Sequence, residues 1–144
     1  KPVALHTPLL GSLSGPGRMD TDAKMSKSDP TGTLLVHDSK KILTKKLSKA
    51  FCPMERKGNP VLDIWQHLIE PALDSIVIER PDKFGGNLEF NSYTDLEEAY
   101  LTGSLHPLDL KNGTASALYN LIKPMQDACL SQPKNYDTLV STIQ

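Results

Sequence analysis

Apolar side chains recur at the three- and four-residue spacing of amphipathic helices along most of the chain after residue 39. Ser39 is suited to cap the first of these helices, and Asn59 followed by Pro60 is a strong start signal for the second. Pro124 is expected to kink the longest one. The predicted helices cover residues 40–51, 60–71, 92–102, 106–133 and 135–143. The sequence therefore predicts a mainly α fold.

Two short runs rich in β-branched and aromatic residues interrupt this pattern. Residues 76–78 and 88–90 flank a loop that contains Pro and Gly, which predicts a small two-stranded hairpin. Before residue 39, an apolar run at 3–6 is typical of a buried strand, and the Gly-, Pro- and Ser-rich residues 7–33 are predicted to form a loop. A loop this long is usually functional or disordered. The chain also begins without Met, as expected for a segment of a longer protein.

Composition indicates an ordinary soluble domain. The 144 residues are 38% hydrophobic and 23% charged, and no apolar run approaches the roughly 20 residues needed to span a bilayer. Two cysteines without CxxC spacing and four scattered histidines predict neither a disulfide framework nor a metal site. We therefore expect a cytoplasmic protein that binds no membrane.

The charge is divided unevenly along the chain. Residues 1–60 carry eleven Lys/Arg and five Asp/Glu, a net of +6, whereas residues 61–144 carry five and twelve, a net of -7. Five lysines fall within the first predicted helix and its end: Lys40, Lys41, Lys45, Lys46 and Lys49. They form either a surface for a polyanion or a solvated helix face, and charge alone does not decide between the two.

The most informative part of the long loop is residues 24–30, which read Lys-Met-Ser-Lys-Ser-Asp-Pro. Two cations and two small hydroxyls on a Gly/Ser-rich stretch can wrap a phosphate, because lysine is a compact point charge. A mobile loop of this kind can add its charge when a phosphate leaving group develops, which stabilises the transition state. The alternative from composition alone is a flexible polar linker.

The KMSKS pentapeptide resembles the signature loop of class I aminoacyl-tRNA synthetases. Four further motifs follow in order: AFCP at 50–53, GNP at 58–60, KFGG at 83–86 and HPLDLKN at 106–112. Together they resemble the C-terminal portion of archaeal and eukaryotic cytosolic tyrosyl-tRNA synthetases over residues 2 to about 128. Tryptophanyl-tRNA synthetases have a similar loop and are the alternative, although the KFGG and HPLDLKN pair is not expected in them.

The resemblance implies a fold and a reaction. Residues 1–38 would be the last strand and signature loop of a Rossmann-type catalytic domain, and residues 39–144 a helical anticodon-binding domain with the hairpin. The reaction would activate tyrosine with ATP, which carries its own Mg²⁺, and transfer it to tRNA-Tyr. The nucleotide-binding half that the family requires is missing, so this chain alone is expected to be inactive, and the intact enzyme is expected to be a homodimer.

The resemblance also assigns residues. The ATP-binding loop would be Lys24, Met25, Ser26, Lys27 and Ser28, with Lys24 and Lys27 catalytic and Lys27 the first choice for the contact with pyrophosphate. The residues implied in anticodon recognition are Phe84, His106, Pro107, Asp109 and Lys111. Splayed RNA bases stack on Phe or His, and a carboxylate can accept from the guanine amino group.

Each of these positions has a structural alternative. Phe84 could plug the core beneath the hairpin, and His106 with Pro107 is also an ordinary helix start. Asp109 in a first helical turn is favourable to the helix dipole, and Lys111 could be solvated. Two other functions stay open for the whole chain: a non-catalytic tRNA-binding module derived from the same fold, and a helical scaffold domain.

Overall fold

The computed structural model describes residues 3, 8–15, 24–26, 28–73 and 75–131. About half of these residues are helical, and the strands form a single small antiparallel pair within the described part. The elements are α1 Lys40–Ser48, α2 Pro60–Ile64, β1 Ile76–Ile78, β2 Leu88–Phe90, α3 Tyr93–Leu101 and α4 Pro107–Leu130. The prediction of a mainly helical chain with one hairpin is confirmed for these residues.

Local signals account for the helix starts. The Asn59 side chain accepts hydrogen bonds from the N–H groups of Val61 and Leu62, and Pro60 occupies the first helical position. Ser92 caps α3 by accepting from the N–H of Asp95 at 3.2 Å. Each start coincides with its prediction to within one residue.

The ends of two helices differ from the prediction because of other parts of the chain. α1 ends at Ser48 rather than near 51, and the N–H of Phe51 donates to the Leu13 carbonyl at 2.7 Å. The predicted helix over 60–71 is α-helical only to Ile64 and continues as a π turn Trp65–Ile69 and a 3-10 turn Glu70–Ala72. The bonding changes already at Trp65, and Pro71, which has no N–H, lies within the final 3-10 turn.

Three predictions near the chain ends meet the limits of the described residues. The helix over 135–143 and the closing Pro133 lie outside them. Of the predicted strand over 3–6, only Val3 is described, and its side chain is 96% exposed rather than buried.

The longest predicted helix contains Pro124, where a kink is expected. α4 continues through Pro124 as one helix from Pro107 to Leu130.

The core lies between the helices and one face of the hairpin. Trp65 is completely buried, and its indole N–H donates to the Thr114 hydroxyl at 2.7 Å, so the π turn after α2 shares a satisfied polar contact with α4 inside the core. The backbone of Gly113 lies against Ile78, where an added Cβ would collide with the isoleucine side chain. This glycine therefore allows β1 to approach α4 closely.

α1 packs antiparallel along α4. Near the start of α4, the Lys111 ammonium donates to the Ser48 carbonyl at the end of α1 at 3.3 Å. Near the other end of α4, the Gln126 amide donates to the carbonyls of Val36 at 2.7 Å and Asp38 at 3.1 Å, just before α1 begins. The two contacts therefore fix α1 and the segment before it along the part of α4 between Lys111 and Gln126.

Candidate functional site

The signature loop, residues 24–28, begins on a fixed piece of backbone. Lys24 forms an isolated antiparallel bridge with Gly11, and the N–H of Met25 donates to the Leu10 carbonyl at 3.1 Å. Met25 is half-buried and packs against the core, whereas Lys24 is exposed. The structure thus anchors the backbone at Lys24 and leaves its ammonium group accessible.

The two serines of the loop are held close together. The N–H of Ser26 donates to the Thr33 hydroxyl at 2.9 Å, and that hydroxyl donates to the Ser26 carbonyl at 2.6 Å. The hydroxyl oxygens of Ser26 and Ser28 lie 2.8 Å apart and are exposed. Lys27, between them, lies outside the described residues. The loop therefore presents two adjacent hydroxyls beside an accessible lysine.

Asp29 closes the turn that follows this loop. One of its carboxylate oxygens accepts from the Thr31 hydroxyl at 2.8 Å and from the N–H of Gly32 at 3.1 Å. These hydrogen bonds hold the pKa of the Asp29 carboxyl below its ordinary value, so it is ionised at neutral pH. Sequence reasoning placed Asp29 in the informative segment without giving it a role and did not single out Thr31 or Thr33, although an Asp followed by Pro and Gly is a turn signal.

A buried ion pair attaches this region to α1. The Lys46 ammonium lies 2.7 Å from a carboxylate oxygen of Asp38 and donates to the Thr33 carbonyl at 2.8 Å. The side chains of Lys46 and Asp38 are only 14% and 5% exposed. Lys46 therefore fastens the loop to the helix, and the interpretation of α1 as a uniformly solvated lysine face is wrong at this position.

The hairpin tip, residues 81–87, carries Phe84 on a 3-10 turn Asp82–Phe84. The phenylalanine is 60% exposed, and the Lys83 ammonium lies 4.8 Å from its ring centroid. Gly85 and Gly86 have φ angles of 96° and 72°, in the region where only glycine is unstrained. Phe84 is therefore an exposed ring on a tight turn and not a plug in the core.

His106 and Pro107 start α4, as the structural alternative predicted. The Nδ1 atom of His106 accepts from the N–H of Leu108 at 3.1 Å, and Pro107 is the first helical residue. Because Nδ1 accepts, the neutral ring carries its proton on Nε2, which can donate to a ligand. His106 is exposed, so capping the helix does not prevent it from stacking on a base.

Arg80 joins the hairpin tip to the first turn of α4. Its Nε–H donates to the Gly86 carbonyl at 2.9 Å, and its guanidinium lies 3.9 Å from a carboxylate oxygen of Asp109. The two side chains are only 12% and 18% exposed. Arg80 thus brings Asp109 to the loop that carries Phe84. Sequence reasoning missed it, although it is one of five basic residues in the acidic part of the chain.

The structure does not bring Lys111 into this group. Its ammonium group donates to the last-turn carbonyl of Ser48, where it satisfies an acceptor at the C-terminal end of α1. Lys111 therefore links α1 to α4, whereas Asp109 faces Arg80.

The two candidate regions are held by different parts of the chain. The signature-loop region is joined to α1 and to the residues just after it: Lys46 donates to the Thr33 carbonyl, and the N–H of Phe51 donates to the Leu13 carbonyl. The hairpin tip is joined to the first turn of α4, where Arg80 lies beside Asp109. Among the described residues, no hydrogen bond or ion pair links the signature loop to the hairpin tip.

The described residues contain no cluster of three or more His, Cys, Asp or Glu that could hold a metal ion. Cys52 and Cys129 are both free. No described helix is both long and apolar enough to cross a membrane.

Comparison with known proteins gives the family. The model of the tRNA synthetases class I (W and Y) matches residues 1–123. The chain is similar to the tyrosine–tRNA ligase of Aeropyrum pernix, with 42% identity over 92% of this chain and 40% of that protein. It is also similar to that of Methanocorpusculum labreanum, with 46% identity over 84% of this chain and 36% of that protein.

Solved structures agree with these relatives. The tyrosyl-tRNA synthetase of Aeropyrum pernix superposes with a TM-score of 0.80 at 40% identity, over 98% of this chain and 39% of that one. The chain thus spans about two fifths of the length of the relatives that it matches. The fold, the family match and the named relatives together show that the chain belongs to the class I tRNA synthetases of the tryptophan and tyrosine family, with tyrosine–tRNA ligases as its similar members.

Proposed function

We propose that this chain is the C-terminal part of a tyrosine–tRNA ligase, in which residues 1–38 complete the catalytic domain and residues 39–144 bind the anticodon. The parent enzyme activates tyrosine with ATP and transfers it to tRNA-Tyr in the cytoplasm. The observation that carries this proposal is that an accessible lysine–serine loop and an exposed aromatic tip are held by separate sets of contacts among the described residues. A ligase of this kind needs one site for the nucleotide and another, distant site for the anticodon.

At the first site, the chemistry is the attack of a tyrosine carboxylate oxygen on the α-phosphorus of ATP. A new bond forms between the carboxylate oxygen and the α-phosphorus. The bond between the α-phosphorus and the oxygen that bridges it to the β-phosphate breaks, and pyrophosphate leaves with the electron pair. Lys24 and Lys27 supply positive charge to the leaving pyrophosphate, and the hydroxyls of Ser26 and Ser28 donate to its oxygens. The Mg²⁺ that accompanies ATP arrives with the nucleotide.

At the second site, Phe84 and His106 provide stacking surfaces for unpaired bases, and Asp109 accepts a hydrogen bond from the anticodon guanine. Arg80 supports this proposal because it holds Asp109 beside the loop of Phe84 without covering the ring. Pro107 fixes the start of α4 between them. Because Lys111 donates to the Ser48 carbonyl, its role in this proposal is to hold α1 against α4 rather than to contact a base.

Pyrophosphate exchange into ATP by the full-length polypeptide tests the proposal. We expect exchange that depends on tyrosine and that phenylalanine and tryptophan do not support, because a site built to bond the phenolic hydroxyl rejects analogues without it. Exchange with tryptophan alone would place the protein on the other branch of its family. Specific tRNA binding without any exchange would instead identify a non-catalytic binding module. Size measurement of the same preparation tests the homodimer that the family resemblance implies for the intact enzyme.

A further inference from the structure

α1 forms one wall of a cleft of about 510 Å³ beside the signature-loop region. Lys45, Lys46 and Lys49 line it from α1 and its end, and Pro30 and Thr31 line it from the loop region. We call it the lysine cleft. Its polar character comes mainly from α1, which contains no acidic residue in its first turn or anywhere between Lys40 and Ser48.

The three lysines of the cleft are not equivalent. Lys46 is neutralised by Asp38 and contributes to the fold, whereas Lys45 and Lys49 are exposed. Ion pairs among the described residues involve only Lys46, Arg56, Arg80 and Lys123 as their basic members. Within that part of the chain, Lys45 and Lys49 therefore carry uncompensated charge into the cleft.

The spacing of the exposed lysines suits an extended anion. Lys41, Lys45 and Lys49 follow one another at intervals of four residues, so like charges adjoin on one side of the helix and destabilise it in the absence of a counterion. Eight residues of helix extend about 12 Å. A row of this length meets successive phosphates of a chain better than it meets one isolated phosphate.

The position of the row agrees with an RNA partner. Lys45 and Lys49 lie on the C-terminal half of α1 and just after it, and this end of α1 contacts Lys111 near the start of α4 through Ser48. The lysine cleft therefore borders the signature-loop region on the part of α1 that is nearest the start of α4. The nearby Asp29 carboxylate accepts hydrogen bonds from Thr31 and Gly32 of its own turn, and no ion pair joins it to Lys45 or Lys49 among the described residues.

We infer that Lys45 and Lys49, extended by Lys41, bind the phosphodiester backbone of the RNA and position it without reading its sequence. This inference rests on the proposed function, since it takes tRNA as the partner. Lysine provides compact charges for phosphate oxygens, and such contacts set the orientation of the nucleic acid while carrying no base information. The cleft is thus a third contact region, beside the signature-loop region and built from other residues than the hairpin tip.

The test compares two double variants of the full-length polypeptide in binding to a tRNA-Tyr transcript between 50 and 200 mM salt. Lys45→Gln/Lys49→Gln keeps good helix formers, and Lys57→Gln/Lys123→Gln is a control with the same change in net charge. We expect the first to lower the slope of log affinity against log salt by about 2, since each lost phosphate contact removes about 1. The control should keep the slope, as should Lys45→Arg/Lys49→Arg.

Equal slopes for the two Gln variants would overturn the inference, and so would a weaker affinity for ATP with no change in the RNA slope. Melting curves of the variants identify any loss of folding, and the Arg variant tests charge in an intact helix. If the unmodified protein selects its anticodon while the slope is unaffected, the cleft assignment fails and the proposed function stands. If the slope falls in Lys45→Gln/Lys49→Gln but the unmodified protein does not select its anticodon, the phosphate contacts of the cleft stand and the proposed anticodon recognition fails.

Discussion

Replacing Lys24 or Lys27 by alanine is expected to lower the rate of tyrosyl-adenylate formation by about 10²- to 10³-fold, with little change in the affinity for tyrosine. The reason is that the charge on pyrophosphate develops only as the bond to the α-phosphate breaks. A lysine ammonium aimed at the leaving group therefore stabilises the transition state far more than the bound substrates. The anchored backbone at Lys24, with its exposed side chain, is suited to this contact.

Single-turnover measurement of adenylate formation in the full-length polypeptide, with saturating ATP and tyrosine, separates rate from binding. Lys57→Ala, which removes an exposed lysine outside both sites, is the matched control and should leave the rate unchanged. A normal rate in Lys24→Ala and Lys27→Ala would remove both residues from the mechanism. A rise in the KM for tyrosine without any fall in rate would indicate a role in substrate binding instead.

Replacing Asp109 by alanine is expected to weaken the binding of anticodon RNA that contains guanine by about 10- to 100-fold, because a hydrogen bond to a charged group contributes about 1.5–3 kcal/mol. Replacing the guanine by inosine removes only the amino group that the carboxylate would accept from. The inosine RNA should therefore bind the unmodified protein about 10- to 100-fold more weakly than the guanine RNA does. Asp109→Ala should bind the two RNAs with almost the same affinity. Affinities of the two proteins for the two RNAs complete a double-mutant cycle.

Arg80 makes this cycle necessary, because Asp109 also has a structural partner. Loss of the carboxylate leaves the guanidinium with its bond to the Gly86 carbonyl and disturbs the tip of the hairpin. A purely structural effect would weaken the guanine and inosine RNAs equally. Adenylate formation should not change in Asp109→Ala, since the ion pair of Asp109 is with Arg80 of the hairpin and not with the described residues of the signature loop. If Asp109→Ala lowered both the rate of adenylate formation and the affinity for RNA, Asp109 would serve folding alone.

The parts of the fold that the sequence predicts well depend on neighbouring residues. Asn59 with Pro60 and His106 with Pro107 each specify a helix start through their own caps, and both starts occur where predicted. β1 and β2 also match their predicted ranges. These features need no knowledge of distant contacts.

The parts that could not be predicted depend on residues far apart in the chain. α1 stops early beside Phe51, whose N–H bonds to Leu13, thirty-eight positions away. The Lys46–Asp38 and Arg80–Asp109 pairs likewise connect different elements, and no spacing rule links their members. Packing alone decides which charges meet.

The candidate site shows the same division. The exposure of Phe84 agrees with the Gly-Gly pair that follows it, since the turn geometry is a local property. The role of Lys111 depends on where α1 ends, so the motif that contains it gave no indication of its contact with Ser48. Motifs identified the positions, whereas the structure determines which of them can reach a ligand.

The most direct test of the proposed division of labour is the fluorescence anisotropy of this chain with a tRNA-Tyr anticodon stem-loop and with one altered at the middle base, at two salt concentrations. We predict tighter binding of the unaltered stem-loop at both salts, and loss of that preference in Phe84→Ala and in His106→Ala, since base stacking contributes about 1–3 kcal/mol. Binding that ignores the base and disappears at the higher salt would contradict anticodon recognition by the hairpin tip and the start of α4.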